Sequence, residues 1–185
     1  AALRALGADQ VAAFTSGQFA ALSSAQAVAL TADQIAGLGT ANLNALGTSQ
    51  FAALSSAQVA AISAAQAAKL ENADVAALST AAVKGLSQEA IAALTTGQVV
   101  AMTSAQVGAL SSSQMSAMTN ADLAKFESAD IKSLSTTTLA GLSAAQMGGL
   151  TTDQIAVLST GQVAAFTPDQ LSGLGTAGIA ALSST

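Results

Sequence analysis

Beginning at Leu6, a large apolar residue recurs at every eighth position, through Phe14, Leu22 and Leu30 to Leu182, without insertion or deletion. With that residue as position 1, the pattern is L-[ST]-x-x-Q-[VIL]-x-[AG], and position 6 forms a second apolar rail. All five Phe and all four Met fall on one rail or the other. The rail spacings are five and three, whereas a strand would alternate every two residues. The three-residue step from position 6 to the next position 1 joins neighbours on a helix face. Ala and Gln favour helices, and β-branched Val and Ile concentrate only at position 6.

Position 2 shows where each helix starts. It is Ser or Thr in 17 of 23 octads, Gly in four and Glu in two, and position 5 is Gln in 14. Ser/Thr-x-x-Gln is the capping box: the hydroxyl accepts from an exposed N–H of the first turn, and the Gln side chain reaches back to the N–H of the cap residue. Positions 1 and 6 then stand at N′ and N4, the pair that forms a hydrophobic staple.

Charge placement supports the same frame, because helices favour anions near the N-terminus and cations near the C-terminus. Asp9, Asp33, Glu89, Asp153 and Asp169 occupy position 4, Asp74, Asp122 and Asp130 position 5, and Glu71 and Glu127 position 2. Arg4, Lys84 and Lys132 occupy position 7, and Lys69 and Lys125 position 8. The single proline, Pro168, is at position 3, the N1 site where proline is preferred.

Each octad is therefore predicted to be one very short helix, too small to fold alone. Burying one Leu and one Val-sized side chain yields roughly 3–6 kcal/mol, while ordering eight residues costs roughly 12 kcal/mol. Stacking of successive coils has to supply the difference. Position 8, which is Ala or Gly in 19 of 23 octads, suits close backbone approach; Lys69, Lys125 and Val157 are its large exceptions. The expected fold is an all-α solenoid or superhelix, one helix per octad, over a single array at 1–185. Octads without Gln or Asp at position 5 include those at Leu38, Leu78, Leu134 and Leu174, spaced 40, 56 and 40 residues, which suggests a higher-order unit of about five octads with two octads added once. The chain begins and ends at position 4 without a polar capping repeat, so the expectation is a segment of a longer array or a unit that self-associates through uncapped ends.

Composition narrows the chemistry. There is no Cys, His, Trp or Tyr, and five Lys+Arg face ten Asp+Glu for a net charge of −5. Disulfides, thiolate and imidazole metal sites and His- or Cys-based catalysis are excluded. Nucleic acid is not an expected partner, since clustered Lys/Arg and aromatic platforms are missing. Mean hydropathy is +0.55, yet polar residues interrupt every short apolar run, so membrane insertion is not expected.

Among the acids, Glu71 with Asp74 and Glu127 with Asp130 form E-x-x-D pairs, and Asp122 lies one octad before Asp130. A Ca²⁺ site wants six to eight oxygens, so these pairs read instead as charged versions of the capping box. The many serines are explained by caps rather than by a Ser–Lys catalytic pair. The expectation is no catalytic, cofactor-binding or metal residues, and no cofactor. Only 8% of residues are charged, and the outward positions 2, 3, 4 and 7 are rich in Ser, Thr and Ala.

The octads 150–157 (LTTDQIAV) and 94–101 (LTTGQVVA) resemble the tandem octapeptide regions of large bacterial secreted or cell-surface, adhesin-like proteins. The resemblance covers essentially the whole chain and implies an extracellular bacterial setting. Together with the missing catalytic side chains it leads to a non-enzymatic structural module, a spacer, stalk or self-assembling scaffold. The alternative is a binding module presenting a Ser/Thr-rich face to carbohydrate, a surface protein or ice. The fold has a direct check: far-ultraviolet circular dichroism should be strongly helical with reversible melting, and a β-dominated spectrum would contradict it.

Overall fold

The computed structural model describes residues 2–182. They form a short 3₁₀ turn, Leu3–Ala5, and then twenty-two α-helices running from Ala8–Ala12 to Gly175–Leu182. Almost every helix begins at position 3, as the capping register predicts. The cap residue is extended, as at Ser23 (φ −71°, ψ 159°), and its Oγ accepts from the Gln26 N–H. Pro168 is in the first turn of its helix, where its missing N–H leaves no bond unmade. The staple is visible at Phe14 and Phe19, whose ring centroids are 6.0 Å apart.

Each helix stops because the chain cannot remain helical through positions 1 and 2. Leu54 at position 1 is extended (φ −61°, ψ 140°), and the cap residue after it is extended too, Ser55 having φ −79° and ψ 161°. Two successive extended residues make the corner, a conformation open to any L-residue. Glycine is needed for φ only at Gly175 (φ 64°), the one described residue with positive φ. There the corner departs from the rule: the last helix starts at Gly175, position 2, and runs for eight residues.

The helices gather into two compact units, Ala1–Ala101 and Met102–Thr185. In each, a helix packs on the third helix after it. Ser24–Val28 packs on Thr48–Ala53, which packs on Asn72–Ala77, which packs on Thr96–Ala101. In the second unit Ser104–Ala109, Ser128–Ser133, Thr152–Ala156 and Gly175–Leu182 form the equivalent series. Each unit is thus an all-α superhelix whose turn holds three octads of eight residues, 24 in all. This differs from the five-octad recurrence in the sequence. The octads at Leu38 and Leu78 are five helices apart and fall on different sides of the three-helix turn.

Burial shows which way each rail faces. In the first unit Val11, Phe19 and Ala27 are fully buried at position 6, while Leu6, Phe14 and Leu22 at position 1 are only half-buried. The second unit shows the reverse: Leu158, Phe166 and Leu174 are buried at position 1, but Ile179 at position 6 is 47% exposed. Position 1 is therefore covered by the preceding coil and position 6 by the following one. Within each unit the two rails, positions 1 and 6, make up most of the buried apolar residues.

Small residues at position 8 allow that stacking. A Cβ on Gly85 would meet the carbonyl of Ser56, and one on Gly173 the carbonyl of Ala144. Each contact joins position 8 to position 3 of the coil before. Gly161, by contrast, lies inside a helix with nothing near its missing Cβ. Gly173→Ala is expected to lower stability by about 1–3 kcal/mol through overpacking, and Gly161→Ala to raise it by about 0.5–1 kcal/mol through helix propensity. Urea unfolding midpoints of the two variants should move in opposite directions.

Candidate functional site

The residue that recurs with most chemical content is the glutamine at position 5, and its amide is used at both ends. At Gln66 the Oε1 accepts from the Ser63 N–H at 2.8 Å, closing the capping box of its own helix. Its Nε2 then donates to the carbonyls of Ile35 at 3.1 Å and Leu38 at 2.8 Å, 31 and 28 residues back. Ile35 lies in the last turn of a helix on the preceding coil, its carbonyl also accepting from the Leu38 N–H at 3.1 Å, and Leu38 lies in the corner after that helix. One side chain thus caps the start of its own helix and the finish of another.

The same two offsets recur. Gln98 donates to Ala67 and Leu70 at 2.8 and 2.7 Å. Gln154 reaches Leu123 and Phe126, both at 2.8 Å, and Gln170 reaches Leu139 and Leu142 at 2.9 and 2.8 Å. These glutamines are buried, which is tolerable because each amide atom has a partner. Gln10, Gln18 and Gln26, on the first described coil, are exposed. Other residues fill the slot when they can donate: Asn42 Nδ2 reaches the Phe14 carbonyl at 3.0 Å, and Thr138 Oγ1 reaches that of Leu110 at 3.1 Å.

Hydroxyls add further ties. Ser16 donates to Asn42 Oδ1 at 2.9 Å, Ser24 to the Ser49 carbonyl at 3.1 Å and Ser104 to Asp130 Oδ1 at 2.6 Å, each across to the next coil. Arg4 Nε donates to the Ala29 carbonyl at 3.2 Å, a cation at a helix C-terminus as the dipole favours.

The acids noted in the sequence are not gathered into one site. Asp74, Asp122 and Asp130 are buried in glutamine slots, whereas Glu71 and Glu127 are exposed caps. Asp130 accepts from the Glu127 N–H at 2.8 Å and from Ser104. The Thr119 hydroxyl donates to Asp122 Oδ2 at 2.6 Å. Asp74 differs: its Oδ2 is buried without a hydrogen-bond partner. Burial, and secondarily the charge of Glu71, push its carboxyl up to about 6. Exposed Glu89 moves the other way, held below the ordinary carboxylate value by its own backbone N–H and by the Ser87 hydroxyl. Among the described residues no three His, Cys, Asp or Glu side chains are grouped to hold a metal ion, and no helix is long and apolar enough to cross a membrane. The grooves between coils are open. One of about 700 Å³ runs along Ser56, Ala60, Thr80 and Lys84.

The model of the ALTTAQ repeat matches the chain at residues 1–24, 35–70, 67–104, 93–120 and 123–160. The chain belongs to the ALTTAQ repeat family. No curated protein matches it significantly. In this ALTTAQ array the Thr and Gln of the repeat are its cap residue and the amide that crosses between coils. Reading the sequence as capping boxes identified the first bond of that amide and missed the second. A signal was present: a capping box accepts Glu as readily as Gln, yet no octad has Glu at position 5. Only the amide carries donors for the carbonyls of the coil behind. Gln66→Glu should therefore cost about 2–4 kcal/mol, since it removes two buried bonds and buries a charge among acceptors. Gln10→Glu on the exposed face should stay within about 0.5 kcal/mol. Denaturant titration of both variants checks the pair.

Proposed function

We propose that this ALTTAQ array is a non-enzymatic structural module, an extracellular bacterial spacer, stalk or scaffold. The observation carrying this reading is that the repeat's recurring polar groups are engaged in holding coil to coil or in capping their own helices. Position 5 amides clamp neighbouring coils, and position 2 hydroxyls are occupied at helix starts, as Ser55 is with Gln58. A segment built this way can be lengthened by whole octads, because each added coil finds the same rails and carbonyls on the coil before it. The extracellular setting rests on the resemblance to octapeptide regions of bacterial surface proteins.

Self-association follows the same logic. The exposed amides of Gln10, Gln18 and Gln26 form a face suited to the carbonyls of another ALTTAQ coil, whether from the same chain or from a second copy. A carbohydrate-binding alternative draws on the groove at Ser56, Thr80 and Lys84, which offers hydroxyls and one cation. For a spacer, inserting three or six extra octads should raise hydrodynamic size in proportion and leave unfolding reversible, while a glycan array and a thermal-hysteresis assay stay blank. Saturable binding of one glycan, abolished by Thr80→Ala with Lys84→Ala, would overturn the spacer reading in favour of the binding module. Sedimentation showing only monomers over a wide concentration range would overturn self-association.

A further inference from the structure

Asp74 is the one described glutamine-slot residue left with an unpartnered buried atom. It is 3% exposed, and its Oδ2 has no hydrogen bond. By register, the carbonyls that a glutamine there would hold are those of Leu46 and Leu43, 28 and 31 residues back, the offsets used by Gln66 and Gln98. An ionised carboxylate has only acceptors to offer to carbonyls. Asp130 in the same slot escapes this because Ser104, 26 residues earlier, donates to it. Below Asp74 that place is held by Thr48, whose hydroxyl makes no hydrogen bond to it.

No compensating charge comes from the packed elements. The helices on either side, Thr48–Ala53 and Thr96–Ala101, contain no ionisable residue, and neither does Thr40–Asn44, which carries Leu43. In the same octad the titratable neighbour is Glu71, whose charge opposes ionisation. Lys69, in the corner before it, is exposed, and its carbonyl accepts from Asn44 Nδ2 at 2.6 Å.

We propose that Asp74 is a proton-operated latch between coils: protonated, it donates its one O–H to the Leu46 carbonyl, the place a glutamine amide would fill, and ionised, it leaves that clamp open. A short O–H donor is adequate in this slot, because Thr138 Oγ1 spans the same 28-residue offset to Leu110. The sign follows from the folded carboxyl lying near 6 and the unfolded one near 3.8. The folded state holds the extra proton, so the latch contributes fully below about pH 3.8 and loses that contribution as pH rises through about 6. A shift of about two pKa units corresponds to roughly a hundredfold change in the local stability constant.

The test compares the 185-residue protein with its Asp74→Asn and Asp74→Gln variants by thermal melting from pH 4 to 8, with Asp153→Asn as an exposed control. Both Asp74 variants should melt above the parent at pH 7.5 and lose that advantage towards pH 4, while the control tracks the parent. In the parent, the ¹³C signal of the Asp74 carboxyl should titrate near pH 6. Amide exchange in Thr48–Ala53 and Asn72–Ala77, corrected for intrinsic rates, should slow on acidification in the parent alone. Parallel melting curves for parent and variants, or a carboxyl titrating near 4, would overturn the latch. So would closure of the pH 7.5 gap by added Na⁺ or Ca²⁺, which would make Asp74 part of a cation site.

Discussion

The fold depends on a single amide. A helix of about five residues leaves nearly all its terminal N–H and C=O groups without helical partners, and in a stacked solenoid many of them are removed from water. The position 5 glutamine answers both ends of that problem: its carbonyl takes an N–H at the start of one helix and its NH₂ takes carbonyls at the end of another. The offsets of 28 and 31 residues also lock the register between coils, since a slip by one residue would move every donor off its carbonyl. Apolar rails supply the adhesion, and the amide decides where one coil sits on the next.

Much of this was legible in the octad. Caps, staple, the place of Pro168 and the segregation of acids from bases all belong to one helix and its immediate flanks, so eight residues carry the information. The number of octads per turn is not local in that sense. It follows from the angle made by two extended residues at each corner, for which many sequences suffice, and the spacing of atypical octads by 40, 56 and 40 residues pointed to five rather than three. The preference for small residues at position 8 predicted close approach, and Gly85 against Ser56 shows what is approached.

The candidate chemistry was legible only in part, for a related reason. Glu71–Asp74 and Glu127–Asp130 are the same motif in sequence, but the residue beneath each acid lies 26 positions away and differs, Thr48 in one case and Ser104 in the other. Whether a buried carboxylate is satisfied is set by that distant partner. An E-x-x-D pair therefore reads as a cap from its own octad, while its electrostatics belong to the coil behind it.

The most direct measurement of the clamp is hydrogen exchange of the glutamine side-chain amides, resolved residue by residue by NMR. If the Nε2 groups bridge coils, the amide protons of Gln66, Gln98 and Gln154 exchange far more slowly than those of Gln10, Gln18 and Gln26, which face solvent. Uniformly fast exchange across all fourteen position 5 glutamines would show that the coils are held by the apolar rails alone.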